Sequence, residues 1–424
     1  MDRDTDREPP AWRHYQRIQA YKSDPRSVID GVNYAHVIAL YLYDRSFRHW
    51  VKIIVFCFLF TARTTVSGRG ERLLNFYSYR YKKRSDYDYI ADRLVAIVGN
   101  QGDAAEVREV LSIAQSWATL LRLPRAWRST SAYQSRFMHR VAATALVAKF
   151  SSTTRSALND LVSGRTRVVT FCDAAPHDNL LAQIAILAGA STVTAQHGQY
   201  RVLDQRNIST DAEAYANFVS DHLLCWGEAT RNEFERFGIR RDRLVITGWI
   251  RHWDPVSRPE TATGTFGVML NGENGADSNI DLLDAANRIA EELDMRFVVR
   301  LHPSFDSREY RTRVNERCTS ISAVPTGEYV SNVDFSLAHM SGATIEMLEV
   351  DSPVYVLDDG RLADAFQLPG LSFEGVEAVL ETVRADMMDP ASGNARTRKL
   401  KRWFNDDTGQ DARIRSALLI AQGV

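Results

Sequence analysis

The chain has 424 residues, of which 45% are hydrophobic and 25% are charged, and its formal net charge is -1. This length is too great for one ordinary hydrophobic core, so two domains are expected, and the composition excludes a largely disordered chain. The near-zero net charge gives no sign of a polyanionic partner such as nucleic acid.

Residues 1–66 are predicted to form a mostly helical extension. Residues 1–84 contain 16 Lys and Arg but only 8 Asp and Glu, which indicates either a solvated basic face or a surface that meets anionic lipid or an anionic acceptor. The apolar run at residues 53–60 is about half the length needed to cross a bilayer. It is either a buried core helix or an interfacial anchor with Trp50 and Lys52 at the lipid headgroups.

A strand is predicted at residues 72–78, followed by helices at 87–99, 104–122 and 133–162. Two β-branched runs, at 167–172 and 192–195, then flank a helical segment, and the same order recurs between residues 222 and 247. Strand–helix–strand alternation predicts a parallel sheet with right-handed crossovers.

Residues 254–264 are rich in Pro, Thr and Gly and read as a linker. A second strand–helix series follows, with strands predicted at 266–270, 297–301, 320–324, 333–337 and 354–357. The expected fold is therefore α/β, with two Rossmann-like domains facing across a cleft. The expected segments are a helical N-terminal extension (1–66), a first Rossmann-like domain (67–255), a second (256–385), and a C-terminal helix (386–424) that packs back on the first.

A histidine follows the strand at 192–195, within the motif Gln196-His197-Gly198-Gln199. Groups just past the carboxyl ends of parallel strands are well placed for chemistry. Imidazole titrates near neutrality, so His197 could take a proton from an acceptor hydroxyl. The alternative is a hydrogen-bonded structural histidine.

Arg300 and His302 lie two residues apart at the end of the strand at 297–301, where Pro303 stops the strand. Both could reach a phosphate from one strand face. A salt bridge at the strand end is the alternative interpretation.

Another strand-to-helix junction carries Ser341, Gly342, Thr344 and Glu346. Ser341 suits a helix N-cap, and Gly342 leaves room above the first free amides, which attract a diphosphate through the helix dipole. Glu346 could take ribose hydroxyls. A helix cap without a ligand remains open.

The Gly-rich loop that begins Asn271-Gly272 follows the first strand of the second series, and it either contacts nucleotide phosphates or is a plain turn. No GxGxxG, Walker A, HExxH or GxSxG motif is present, which argues against NAD-type, P-loop, zincin and hydrolase chemistry. The four cysteines are scattered without a CxxC pair, which favours free thiols.

Together these clusters resemble the GT-B superfamily, in the branch of CDP-glycerol glycerophosphotransferases and bacterial capsule polysaccharide glycosyltransferases. The resemblance covers residues 166–360, about half the chain. It depends on the order of five weak motifs: the strand followed by QHG, the block at 222–238, and the segments ITGWIRHWD, RLHPS and SGATIEML.

The resemblance implies roles for these residues. It makes the first Rossmann-like domain the acceptor domain and the second the nucleotide-donor domain. His197 is expected to be the base toward the acceptor and His302 the donor-phosphate histidine. Further donor contacts are expected from Arg300, Asn271, Gly272, Ser341, Gly342, Thr344 and Glu346, and acceptor contacts from Gln196, Gln199 and Arg251.

Three departures from the family pattern favour a sugar over glycerol phosphate as the transferred group. Teichoic-acid enzymes usually carry Trp-His-Gly where this chain has Gln196-His197-Gly198, and an Asp-Tyr-Ser-Ser type motif where it has residues 339–342. Their Gly-x-Pro-Arg-x-Asp element is present only in altered form at residues 248–254.

The resulting hypothesis is a metal-independent glycosyltransferase without a cofactor. It would use a nucleotide-activated sugar and a glycan or lipid-linked acceptor of capsule type, in the cytoplasm, with peripheral contact to the inner face of the membrane through residues 1–84. The alternatives are a CDP-glycerol-type glycerophosphotransferase or polyol-phosphate polymerase, a UDP-sugar 2-epimerase, and a non-catalytic partner in polysaccharide assembly.

Overall fold

A computed structural model of the chain describes residues 9–44, 46–67, 73–78, 85–98, 102–112, 116–133, 135–196, 198, 208, 210, 212–250, 261–271, 275–302, 309–362 and 366–419. The chain forms two compact units. Unit 1 comprises residues 1–225, 231–251 and 408–424, and unit 2 comprises residues 226–230 and 252–407.

Unit 1 is built on a seven-stranded sheet in the order β3-β5-β4-β6-β7-β8-β9. All neighbouring strands are parallel except β3 and β5. A two-stranded antiparallel sheet joins β1 and β2. The strands are β1 (Val28–Ile29), β2 (Val32–Asn33), β3 (Phe60–Ser67), β4 (Leu73–Ser78), β5 (Gly102–Leu111), β6 (Arg167–Thr170), β7 (Ser191–Ala195), β8 (His222–Cys225) and β9 (Leu244–Ile246).

Helices pack around this sheet, and the sixth of them continues into a π-helical turn at Phe150–Thr154. The helices are α1 (Pro10–Ser23), α2 (Tyr34–Leu42), α3 (Phe47–Leu59), α4 (Ser85–Val98), α5 (Ser116–Ser129), α6 (Phe137–Lys149), α7 (Arg155–Val162), α8 (Pro176–Leu187), α9 (Ala212–Ala216) and α10 (Glu228–Arg236), whose first three residues belong to unit 2. Among the described residues, no helix combines the length and the apolar character that a membrane crossing requires.

The N-terminal helices share a core with the sheet. Ile18 of α1, Ile38 of α2 and Cys57 of α3 belong to one buried cluster with Leu74 of β4 and Val168 of β6. Residues 9–66, as far as they are described, are therefore an integral part of unit 1.

Of the two interpretations of the run at 53–60, the structure agrees with the buried one at Trp50, which does not lie at a surface as the anchor alternative requires. Trp50 is buried, its indole N–H donates to the Asp44 carbonyl (3.1 Å), and its ring meets that of His139 at 3.8 Å. Lys52, the other residue of the predicted anchor, is exposed.

The predicted helix at 104–122 is wrong over its first half, where β5 runs instead. Asp103, Ala105 and Val107 are buried while the residues between them are more exposed, which is the two-residue period of a strand. Because β5 lies between β3 and β4, backbone pairing on both edges overrides the helix propensity of this segment.

Unit 2 contains a six-stranded parallel sheet in the order β12-β11-β10-β13-β14-β15. Its strands are β10 (Thr265–Met269), β11 (Arg296–Arg300), β12 (Cys318–Ser322), β13 (Ser336–Ala338), β14 (Val354–Asp358) and β15 (Ser372–Glu374). Its helices are α11 (Ala276–Glu292), α12 (Thr326–Val330), α13 (Gly342–Glu349), α14 (Gly375–Met388) and α15 (Pro390–Phe404).

One face of this sheet carries an aromatic core in which Phe266 stacks on Phe297 and Phe335. On β10, a Cβ at Gly267 would lie 1.8 Å from the Tyr329 hydroxyl, so only glycine lets α12 approach the sheet this closely.

The C-terminal segment forms two helices. After α15 in unit 2, residues 405–409 break the helix, and Gly409 adopts a φ of 65°; α16 (Gln410–Leu419) then belongs to unit 1. The extended backbone of Asn405 (φ -142°) ends α15, and the positive φ at Gly409 lies directly before α16.

Candidate functional site

The strand order of unit 2 creates a switch point between β10 and β13. The chain winds from β10 to β11 and β12 on one side, and β13, β14 and β15 lie on the other. Ligands of open α/β sheets bind outside the carboxyl ends of the strands at such a point. Here these ends lead to Asn271 after β10 and to His339 and Ser341 after β13.

Asn271 has a buried side chain that is 1% exposed. Both atoms of its amide, Oδ1 and Nδ2, lack a hydrogen-bond partner within the described residues. Its backbone N–H donates to Oδ1 of Asn279 (2.7 Å), and its carbonyl accepts from Nδ2 of Asn279 (3.1 Å). A buried polar group without a partner costs about 1–3 kcal/mol, so its presence at a switch point calls for an explanation such as a ligand.

A helix also starts beside Asn271. Gly275 precedes α11, and a Cβ at Gly275 would lie 2.6 Å from the Cβ of Asn271. Because the N-cap residue is a glycine, no side-chain hydrogen bond caps the first N–H groups of this helix. The side-chain amide of Asn271 therefore lies next to the N-terminus of α11. The free backbone N–H groups of a helix N-terminus favour a negatively charged group.

The second helix start is that of α13. Ser341 is its N-cap, and its hydroxyl accepts from the backbone N–H of Ala343 (3.2 Å). No heavy atom lies within 4 Å of the position that a Cβ at Gly342 would take. Thr344 is fully buried, and its hydroxyl has no partner within the described residues. The helix start is thus capped as predicted from the sequence and is open above Gly342.

A buried polar network adjoins these elements. Nε2 of His339 lies 3.0 Å from Oδ1 of Asp359, and the Ser278 hydroxyl donates to Oδ2 of Asp359 (2.6 Å). Although burial opposes ionisation, the hydrogen bonds from Ser278 and His339 lower the pKa of Asp359. The network joins the loop after β13, the loop after β14 and the first turn of α11.

Sequence reasoning missed Asp359 and Ser278. The sequence did contain a signal, the pair Asp358-Asp359 directly at the end of β14. Ligands of open α/β sheets bind at the carboxyl ends of the strands, so carboxylates there are candidate site residues. Within the described ranges, no group of three His, Cys, Asp or Glu side chains is arranged to hold a metal ion.

Arg300 and Glu346 are engaged with one short segment around the start of α12. Nε of Arg300 donates to the Val324 carbonyl (3.0 Å), and the Glu346 carboxylate accepts a hydrogen bond from the Thr326 hydroxyl. His302, two residues beyond Arg300, is exposed. Arg300 and Glu346 thus both contact the segment at 324–326. That they bind the nucleotide donor stays a prediction.

Four of the predicted site residues lie outside the described residues: His197, Gln199, Arg251 and Gly272. Gln196 is described and buried in unit 1. Its backbone N–H donates to the Leu224 carbonyl (3.1 Å), and its side-chain Nε2 donates to the Gly198 carbonyl (3.1 Å). Gln196 therefore fixes the chain at the carboxyl end of β7 on both sides of position 197.

No family model and no curated protein matches the sequence. Among solved structures, the UDP-GlcNAc 2-epimerase from Neisseria meningitidis bound to UDP-GlcNAc is similar, with 12% identity, a TM-score of 0.50, and coverage of 82% of this chain and 100% of that chain. The S. aureus MnaA–UDP structure has 12% identity, a TM-score of 0.49, and coverage of 82% and 96%. The calicheamicin glycosyltransferase CalG4 has 11% identity, a TM-score of 0.43, and coverage of 82% and 97%.

At this identity, the likeness to the epimerase shows the fold alone. The chain has an α/β architecture of two parallel-sheet, Rossmann-like units, the GT-B fold, as the sequence predicts. Nucleotide-sugar glycosyltransferases and UDP-GlcNAc 2-epimerases share this fold, and a fold by itself does not assign a reaction.

Proposed function

We propose that this chain is a nucleotide-sugar-dependent glycosyltransferase that transfers a sugar to a cell-surface polysaccharide acceptor. In this proposal the nucleotide diphosphate of the donor binds to unit 2 at the switch point between β10 and β13. His197 of unit 1 serves as the base toward the acceptor.

The observation that carries the proposal is the unpaired amide of Asn271 beside two helix starts. A diphosphate oxygen could accept from Nδ2 of Asn271 and from the first amides of α11. The open space above Gly342 leaves room for a second anionic group at the start of α13. Nδ2 of Asn271 would then have an acceptor when the donor is bound.

The reaction that follows from this arrangement is displacement at the anomeric carbon of the donor. The acceptor oxygen forms the new glycosidic bond while the bond between the anomeric carbon and the phosphate oxygen breaks. The hydroxyl proton passes to His197, and the nucleoside diphosphate leaves with the bonding electron pair. Positive and dipolar groups of unit 2, namely Arg300, His302 and the start of α13, stabilise the charge on the leaving group.

A second candidate is 2-epimerisation of a nucleotide sugar. Two observations favour it: the likeness of the fold to a UDP-GlcNAc 2-epimerase, and the carboxylate of Asp359 with His339 at the same switch point. An epimerase needs acid–base groups next to the sugar ring, and this pair is one such set. Transfer remains our proposal because the motifs of the sequence, in their order, resemble transferases.

The test is to incubate the full chain with a panel of nucleotide sugars and with CDP-glycerol, each with and without a capsule-type polysaccharide acceptor. We expect release of a nucleoside diphosphate that depends on the acceptor. Formation of the C2 epimer without an acceptor would establish the epimerase instead. Release of CMP from CDP-glycerol would establish glycerophosphate transfer, and no consumption of any donor would leave a non-catalytic partner.

A further inference from the structure

Three neighbouring helices of unit 1 expose an apolar surface. Of the sixteen large hydrophobic side chains that are exposed among the described residues, nine lie on α3, α5 and α6. We name this the α3–α5–α6 surface. It comprises Phe47, Val51, Val55 and Leu59 of α3, Trp117, Leu120, Leu121 and Trp127 of α5, and Phe137 of α6.

The exposed apolar residues of α3 are regularly spaced. Its four exposed residues are spaced four apart and therefore lie along one side of the helix. The core residues Trp50, Ile53 and Cys57 occupy the other side. Helix α3 is thus apolar on both sides, as expected of a helix that contacts the protein core on one side and a second apolar medium on the other.

An apolar groove continues the surface between the helices. It has a volume of about 600 Å³ and is lined by Ile54 and Phe58 of α3, Leu123 and Trp127 of α5, and Val141 of α6, among others. The Phe137 ring packs edge-on against Trp127 at 6.2 Å. The three helices thus share one apolar groove, and two of the exposed side chains, Trp127 of α5 and Phe137 of α6, pack against each other beside it.

The exposed charged side chains of the three helices are basic, although Asp44, which precedes α3, is exposed as well and Lys149 of α6 is buried against Glu109. Helices α3, α5 and α6 contain seven Lys and Arg residues and no Asp or Glu. Arg48, Lys52 and Arg128, together with Arg136 directly before α6, are exposed. The nearby carboxylate of Asp30 is engaged by Arg125.

From this combination we infer that the α3–α5–α6 surface docks unit 1 on a membrane that contains anionic phospholipid. Exposed aromatic and aliphatic side chains enter the headgroup region, and the Arg and Lys residues pair with lipid phosphates. A second copy of the chain fits less well, because a two-fold symmetric contact would bring the two basic rims together. The surface includes α3 from the basic first 84 residues and adds α5 and α6, and it does not depend on the proposed enzymatic reaction.

The experiment is co-sedimentation of the full chain with vesicles of phosphatidylcholine alone or mixed with phosphatidylglycerol. We expect binding to the mixed vesicles that weakens with salt, and little binding to phosphatidylcholine alone. The double variant Arg48→Glu/Lys52→Glu should reduce binding at least tenfold, since each basic residue near an anionic surface contributes about fivefold. The double variant Val51→Ser/Val55→Ser should reduce it as well.

The matched control is Met387→Ser/Met388→Ser, which removes two exposed apolar side chains of α14 in unit 2 and should leave binding unchanged. Thermal unfolding and nucleotide titration of every variant separate loss of docking from loss of folding or of donor binding. Wild-type protein that ignores anionic vesicles, or variants that bind as wild type, would overturn the inference. So would a dimer, detected by sedimentation, that Val51→Ser/Val55→Ser dissociates.

Discussion

The side chain of Asn279 holds the backbone of Asn271 at both its N–H and its carbonyl, at 2.7 and 3.1 Å. Asn279 also donates to the hydroxyl of Tyr310 (3.1 Å). The backbone of Asn271 is therefore fixed while its own buried amide has no partner within the described residues. The side chain of Asn279 thus has a structural role, and the side-chain amide of Asn271 could bind a ligand.

This division predicts opposite effects of two equivalent substitutions on stability. Asn271→Leu removes two unpaired polar atoms, so the free energy of unfolding without ligand should stay the same or rise, by up to about 1–3 kcal/mol. Asn279→Leu removes bonds to the backbone and leaves buried groups unpaired, so the free energy of unfolding should fall by about 1–3 kcal/mol. Chemical denaturation of the two variants measures both. Equal destabilisation by the two would show that the Asn271 amide has a structural partner.

Gly342 offers a steric test of the start of α13. The space beside it is open, so Gly342→Leu should fold and should gain up to about 1 kcal/mol of helix propensity. The leucine would occupy the room proposed for the donor, so the dissociation constant of the nucleotide should rise at least tenfold. Unchanged affinity would exclude the start of α13 from the donor site.

Ser341→Ala is the matched control at this helix. It removes the cap on the Ala343 amide and should lower the free energy of unfolding by about 1 kcal/mol. It adds no bulk at the site, so any loss of nucleotide affinity should be smaller than for Gly342→Leu.

The lowered pKa of Asp359 predicts a specific pH dependence of stability. A carboxyl group whose pKa is lowered in the folded state stabilises that state above its ordinary pKa of 3.8. This contribution is lost as the pH falls through the lowered pKa. The stability advantage of wild type over Asp359→Asn should therefore be largest above about pH 4 and shrink at more acid pH. Acid unfolding curves of both proteins provide the measurement, and a constant difference across this range would contradict the assignment.

The two histidines proposed for chemistry should differ in what their loss changes. His197→Ala removes the base and should lower kcat by about 10²–10⁴-fold, with donor affinity retained. His302→Ala should weaken stabilisation of the leaving group, with kcat/KM lower by about 10–100-fold. His222→Ala serves as the control, because His222 lies at the amino end of β8, away from the carboxyl ends of the unit 1 strands. This variant should keep the wild-type transfer rate. Near wild-type transfer by either of the first two variants would remove that residue from the mechanism.

The sequence was sufficient to place five of the six strands of unit 2, all but β15, and the strand ends that carry Asn271, Arg300 and Ser341. Alternation of β-branched runs with helical segments has a clear period, and turn residues mark where each strand stops. The helix predicted over the segment at 102–111 was wrong for a physical reason. Its Ala and Glu residues favour a helix locally, but pairing with the strands on both sides makes it a strand.

The network of His339, Asp359 and Ser278 could not be derived from the sequence. Its three residues span 278–359 and meet only because β13 lies between β10 and β14. Local patterns predict that a strand exists, but the order of strands in a sheet depends on tertiary packing. The unpaired state of the Asn271 amide likewise depends on burial that no local pattern reports.

The central claim is that unit 2 binds a nucleotide diphosphate through Asn271 at the switch point. Calorimetric titration of the wild-type chain and of Asn271→Leu with UDP, CDP and GDP tests it most directly. We predict that wild type binds at least one of the three, and that Asn271→Leu, folded and at least as stable, binds it at least tenfold more weakly. Absence of binding to all three nucleotides, or equal affinity of the two proteins, would contradict the claim.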